Sequence, residues 1–286
     1  MDTCRARLRY TMTMLEFEIL ARGLFRPEQL AITYDPSLRM PTDSAIQQWM
    51  DTLWTQKLLM AREQGIPLFD APLYRFVGVE MCADDTLHLT LGDTGYKEYV
   101  TTRVPEFASG RQRSELGNAL SVCSVVETRD GYILLDKRQG VDVYVGRYHV
   151  IGGFFERGRD STSDEQPNPF GAICREIREE TGILAADIAE QYCLGLVYDL
   201  ATPHAEFCFL TRLHIPLAEV KTRIPEENEI KQLETLYVTE QSLCEFIKRN
   251  HGNISATGEP NLLLYGELRF GRQWLHSFHN LPVTDL

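Results

Sequence analysis

The chain has 286 residues, enough for one large or two ordinary domains. With 43% hydrophobic and 24% charged residues it reads as an ordinary soluble globular protein. A formal net charge of −12 argues against a nucleic-acid binder held by a basic face, and no apolar run approaches the length of a membrane span. An anionic small molecule stays admissible if metal ions or a local basic patch offset the field.

Seven cysteines, at positions 4, 82, 123, 174, 193, 208 and 244, are scattered, odd in number and without a CxxC pair. That usage fits a reducing compartment, with most thiols acting as small buried hydrophobes, and the expected localisation is cytoplasmic. The opening "MDTCRARLRYTMTM" is basic but lacks the apolar core of a signal peptide. Residues 1–13 are expected to be disordered, either as a frayed N-terminus or as sequence upstream of a start at Met12 or Met14.

In chain order, "MLEFEIL" alternates like a strand and "GLFRPEQLAITYDP" carries turn signals. "TDSAIQQWMDTLWTQKLLMAREQG" predicts an amphipathic helix, with Thr42, Asp43 and Ser44 as caps and Gly65 closing it. "LYRFVGVEMCADDTLHLTLG" predicts a hairpin about a DD turn. "GYKEYVTTRVPEF" reads as a short helix or strand, and the polar "ASGRQRSELGN" as a boundary. Beyond it, "ALSVCSVVETRDGYILLDKR" is a strand, a D-G turn and a second strand, and "YHVIGGFFE" a third strand broken by glycines. The polar "DSTSDEQPNPFG" leads into the helix "AICREIREETG", ended by Gly182. Two strands ("CLGLVYDL" and "AEFCFLTRLHI"), a mixed segment and helices at "SLCEFIKRN" and near "NLLLYGELRFG" complete the chain. The expected organisation is an N-terminal α+β domain over residues 1–115 and a mixed α/β domain over residues 116–286.

The chemistry concentrates in "REIREETG", Arg175 to Gly182, which holds three glutamates and two arginines in eight residues. Helical spacing crowds Glu176, Glu179 and Glu180 on one side, where like charges repel by a few tenths of a kcal/mol. A solvated surface helix with an Arg175–Glu179 pair is the bland reading. A divalent-cation site is the other: hard ions such as Mg²⁺ take oxygen ligands, waters and substrate phosphates.

"GGFFERG…AICREIREETGI" resembles the Nudix box. Its second half matches at Arg175, Glu176, Ile177, Glu179, Glu180, Gly182 and Ile183. R-E-x-x-E-E-x-G arises by chance in roughly one chain of this length in several thousand. The first half departs from the pattern. The position of the family's first glutamate falls on Arg159, the loop to Arg175 is eight residues too long, and Ile151 replaces the usual proline. Asp160, Asp164 and Glu165 are candidates for the displaced acid.

The resemblance implies an α/β/α sandwich with a mixed sheet and hydrolysis of a nucleoside diphosphate derivative. It places Mg²⁺, with Mn²⁺ as an alternative, on Glu176, Glu179 and Glu180. Gly152 and Gly153 would admit phosphates close to the backbone, and Arg175 would orient a carboxylate of the helix. Glu229 or Glu227, in "PEENEIKQLETLYV", would serve as general base, with Glu179 competing. Further blocks ("LFDAPLYRF", "LTLGDTGYKEYVTTR", "LGLVYDLATPHAEFCFL", "PEENE") are similar to the UDP-glucose/UDP-galactose-hydrolysing Nudix subgroup, whose members carry an N-terminal extension. That implies a UDP-sugar cleaved to UMP and a sugar 1-phosphate. Tyr96, Lys97, Arg103, Arg111 and Arg113 would then face the nucleotide, with Lys137 and Arg138 as alternatives beside the phosphates and Phe154 and Phe155 walling the pocket. Each basic residue taken singly is better read as a solvated surface position, and His149 and His204 as structural. Partners are expected to be the nucleotide sugar and, at most, a second copy of the chain, with no nucleic acid or membrane. Two other readings remain: ADP-ribose, an ADP-sugar or a dinucleotide as substrate, and a nucleotide-sugar sensor without turnover.

Overall fold

A computed structural model describes residues 16–139, 143–226, 230 and 232–278. The strands are β1 (Phe17–Phe25), β2 (Leu30–Tyr34), β3 (Pro72–Met81), β4 (Leu87–Gly95), β5 (Leu120–Glu127), β6 (Tyr132–Lys137), β7 (Tyr148–His149), β8 (Ile151–Phe154), β9 (Ile188–Asp199), β10 (His204–Leu213) and β11 (Leu233–Tyr237). The longer helices are α1 (Ser44–Gln64), α2 (Tyr96–Thr102), α4 (Pro169–Thr181), α6 (Glu240–Asn250) and α7 (Gly258–Phe270). Single turns α3 (Pro105–Ala108), α5 (Leu217–Val220) and α8 (Arg272–Leu275) fill the connections.

The class is mixed α/β. A large sheet runs β1-β9-β10-β5-β6-β11, with β8 on β5 and β7 on β6. Its β5–β10 pair is parallel, while β9 and β8 run antiparallel to their neighbours. Residues on β5 alternate between two cores, as a strand buried on both faces must. Val122 and Val126 join Ile173 and Ile177 of α4 on one side; Cys123 and Val125 join Leu262 and Leu263 of α7 on the other. The sheet therefore lies between α4 and α7.

A three-stranded sheet, β2-β4-β3, carries α1 and α2 beside it. Helix α1 forms with the caps its sequence offers: Asp43 accepts from the Ile46 N–H at 2.8 Å, and Gly65 closes it at φ 68°. The expected division near residue 115 is crossed by the chain itself. Strand β1 is hydrogen-bonded to β9 in the large sheet, and Tyr74 of β3 packs on Phe155, ring centroids 4.5 Å apart. One apolar core runs through both segments, from Leu89 and Phe76 to Ile173 and Phe207.

Three local expectations change. Turn signals over "GLFRPEQLAITYDP" give way to β2, because "LAITY" finds a parallel partner in β4 far along the chain. The strands β5 and β6 are adjacent but share a single pair, Glu127 with Ile133, since β5 is taken up by β10 and β8. Helix α4 starts at Pro169, before the expected Ala172, because Asn168 caps it by accepting from the Gly171 N–H at 2.9 Å. Among the described residues no helix is long and apolar enough to cross a membrane.

Candidate active site

Strand β8 and helix α4 build the site. Gly182 ends α4 at φ 72°, and a Cβ there would lie 2.4 Å from the Ile224 carbonyl oxygen, so both conformation and space demand glycine. Helix α4 buries Ile173 and Ile177 against the sheet. This fixes the rotation that turns Arg175, Glu176, Glu179 and Glu180 toward β8 and the loop after it.

Arg175 is 8% exposed and surrounded by acids. Its Nε and Nη2 donate to the two oxygens of Asp160, each at 2.7 Å, a bidentate pair. Nη2 also donates to the Phe154 carbonyl at 3.0 Å. Nη1 donates to Glu179 Oε2 at 2.9 Å and lies 2.9 Å from Glu176 Oε1. Burial alone would lower the Arg175 pKa, but Asp160, Glu176 and Glu179 outweigh it and the group stays charged. Asp160 is 4% exposed and accepts from the Glu156 N–H at 2.8 Å. Of the three loop acids considered for the displaced glutamate, Asp160 is the one placed on Arg175. Arg159 turns instead to Glu156, at 3.2 Å, and Glu179, at 2.6 Å.

The three glutamates divide. Glu180 accepts from the Gly152 N–H at 3.1 Å. The Glu176 carboxylate lies over Gly153: a Cβ there would stand 2.5 Å from Glu176 Oε1. Gly152 is needed for another contact, because a Cβ would stand 2.2 Å from the Val122 carbonyl of β5. Glu176 and Glu180, one turn apart, thus lie against consecutive glycines of one strand. Glu179 has both oxygens accepting from arginines, Oε1 from Arg159 and Oε2 from Arg175.

Burial pushes Glu176 up to about 8, with Arg175 opposing the shift and Glu179 adding to it. A hard divalent ion fits this donor set, since it would supply the positive charge that a buried carboxylate lacks. At pH 7 such an ion must displace the Glu176 proton. Metal binding should therefore release close to one proton per ion, and below pH 8 affinity should fall by up to about tenfold per pH unit. Calorimetric titration of Mg²⁺ in two buffers of different ionisation enthalpy measures this. Equal apparent enthalpies would exclude Glu176 as the displaced group.

The other expected residues are spread more widely. Tyr96, half-buried on α2, sets its ring edge-on to Phe154, centroids 5.5 Å apart, beside Gly153. Tyr99 meets the same Phe154 at 5.4 Å. Lys97 pairs with Asp51 at 2.5 Å, and Arg103 is buried, donating to the Tyr99 hydroxyl at 2.9 Å. Arg111 lies over Phe107 and pairs with Glu115, while Arg113 lies over Tyr198 and pairs with Glu18. Lys137 covers the Tyr148 ring at 3.8 Å, and Arg138 donates to the Val143 carbonyl at 3.2 Å. Phe155 does not wall a pocket: it is fully buried in the core against Tyr74. His149 bonds Ser255 and His204 meets the Thr202 carbonyl. Glu227 and Glu229 lie outside the described residues.

No family model matches the chain, and no curated protein matches it. Among solved structures it is similar to a bifunctional NMN adenylyltransferase/ADP ribose pyrophosphatase from Francisella tularensis, complexed with AMP and a manganese ion. The identity there is 17%, the TM-score 0.37, and the match covers 54% of this chain and 42% of that one. It is also similar to the NUDIX domain of Shewanella oneidensis NrtR complexed with ADP ribose, at 13% identity and TM-score 0.41, over 57% of this chain and 95% of that one. A MutT protein from Methanosarcina mazei Go1 matches at 18% identity and TM-score 0.34, over 54% and 93%. Likenesses this distant decide nothing about the chemistry, which is read from the chain's own residues.

Proposed function

We propose that the chain is a Nudix-type, divalent-metal-dependent hydrolase that cleaves the diphosphate bond of a nucleoside diphosphate sugar. The observation that carries the reading is the Arg175 cluster: Asp160 restores the acidic partner that the remodelled first half of the motif lacked. It leaves Glu176 and Glu180 against the β8 glycines to hold Mg²⁺, which would neutralise phosphoryl charge and activate water for in-line attack. Arg175 does not reach for substrate; it positions Glu176 and Glu179. With both Glu179 oxygens occupied by arginines, the general base is assigned to Glu227 or Glu229.

A complete acidic and glycine framework favours turnover over sensing. The uridine reading rests on the N-terminal blocks and on the half-buried rings of Tyr96 and Phe154 beside Gly153, a surface on which a base can stack. The test is a product assay with UDP-glucose and ADP-ribose, each with Mg²⁺ or EDTA. Metal-dependent UMP and glucose 1-phosphate are expected. Preferential AMP release discards the uridine specificity, and tight binding without turnover moves the protein to the sensor class.

A further inference from the structure

On the opposite face of the large sheet from α4, three side chains of mixed chemistry converge. Cys123 of β5, His149 of β7 and Glu206 of β10 are all buried, and their candidate donor atoms lie within 4.8 Å of one another. His149 Nε2 stands 3.8 Å from Glu206 Oε1, beyond hydrogen-bond distance. Two ligands of a tetrahedral zinc ion, each about 2.0–2.1 Å from it, stand roughly 3.4 Å apart, so a shift of a few tenths of an ångström closes the gap.

Each of the three has its own outer partner, and all three partners come from one short segment. Ser255 Oγ bonds His149 Nδ1 at 2.6 Å, which directs Nε2 inward. Thr257 hydrogen-bonds Glu206. Asn261 Nδ2 reaches Cys123 Sγ at 3.2 Å, and Asn261 is itself fully buried with its Oδ1 unpartnered. Ser255 and Thr257 lead into α7, and Asn261 lies in its first turns. Gly258 between them has no room for a side chain, since a Cβ would lie 2.9 Å from His149 Nδ1. Cys208 stands opposite Cys123 in register, hydrogen-bonds its thiol and brings a second sulfur alongside.

We propose that Cys123, His149 and Glu206 form a three-ligand zinc site that joins β5, β7 and β10 beside the start of α7. Sulfur, imidazole and one carboxylate suit Zn²⁺ and not Mg²⁺, which keeps to oxygen. Outer-shell bonds from Ser255, Thr257 and Asn261 orient the ligands as metal sites require. The site shares no ligand with the carboxylates of α4, so it stands or falls separately from the hydrolase reading.

The test is metal content and spectroscopy on the full chain. Protein loaded with Zn²⁺ or Co²⁺ and passed through gel filtration should retain one ion per chain. The Co²⁺ form should show thiolate-to-metal charge-transfer absorption. Glu206→Gln keeps the side-chain volume and should lose the ion, as should Cys123→Ser, whereas Glu180→Gln should keep it. X-ray absorption on the zinc-loaded wild-type chain needs no variant: sulfur in the coordination shell supports the site. No retained ion, a shell without sulfur, or retention undiminished in a folded Glu206→Gln protein would overturn it, leaving a buried hydrogen-bonded cluster.

Discussion

Glu180→Gln should lower kcat on whichever nucleotide substrate the product assay identifies by at least about 10³-fold, a loss on the order of 4 kcal/mol of transition-state stabilisation. Glutamine keeps the shape and can still accept from the Gly152 N–H, so what is removed is the charge. Glu176→Gln should lose turnover to a similar degree but behave differently in stability. The folded-state pKa of Glu176 is raised from 4.5 to about 8, so its ionisation opposes folding. In metal-free protein that group's contribution is fully present below pH 4.5 and is lost as pH rises through 8. Glutamine mimics the protonated form. At pH 8 to 9 in EDTA, Glu176→Gln should therefore melt no lower than wild type, even though Arg175 loses one of its acidic neighbours. Arg175 keeps Asp160 and Glu179. Steady-state turnover across a Mg²⁺ titration, with melting curves in EDTA, checks both halves. A Glu180→Gln or Glu176→Gln protein with wild-type kcat would remove the helix from the chemistry. A sharply lower Glu176→Gln melt at high pH would mean that the carboxylate is there for folding.

The helix was legible because its information is local. Spacing put Glu176, Glu179 and Glu180 on one side, and Gly182 announced the end. Asn168 and Pro169 announced the beginning just as plainly, in "NPFG", although the polarity of the preceding loop hid them. Strands were legible where they alternate, but their partners were not. The parallel β5–β10 pair joins segments some eighty residues apart, and β2 is hidden in the sequence because "LAITY" is short and follows the turn signals around Pro27. The division of labour among the glutamates was also out of reach. It depends on Arg159 swinging to Glu179 from a loop whose length departs from the family pattern. The partners of the expected basic residues were out of reach for a similar reason: Lys97 and Arg113 are paired with Asp51 and Glu18, acids distant in sequence. Composition counts cations without saying which are already neutralised. Aromatic contacts between Tyr96 and Phe154 required the same long-range information.

Arg175→Ala should destabilise the chain by about 3–5 kcal/mol, the cost of leaving buried acids without their cation. For a chain of this size that corresponds to a fall in Tm on the order of 10 °C. The reason is the completeness of the arrangement. The guanidinium has five N–H groups, and Asp160, Glu179, the Phe154 carbonyl and Glu176 lie around all three of its nitrogens. Removing it leaves Asp160, with a side chain 1% exposed, without its cation, and Glu179, with a side chain 6% exposed, held by Arg159 and no longer by Arg175. Arg175→Lys should rescue little, because an ammonium cannot hold Asp160 through two parallel bonds and still reach Glu179. Asp160→Asn should cost less than Arg175→Ala, since asparagine keeps one acceptor for the guanidinium, and the cost of combining Arg175→Ala with Asp160→Asn should fall short of the sum. Such non-additivity is the signature of a coupled pair. Calorimetric melting of the two single variants and the double variant gives the coupling directly. If Arg175→Ala melts within about 2 °C of wild type, or if the variants add within about 0.5 kcal/mol, the loop from Glu156 to Asn168 is not anchored through Arg175. The longer loop would then need another explanation for how it keeps Asp160 beside the helix.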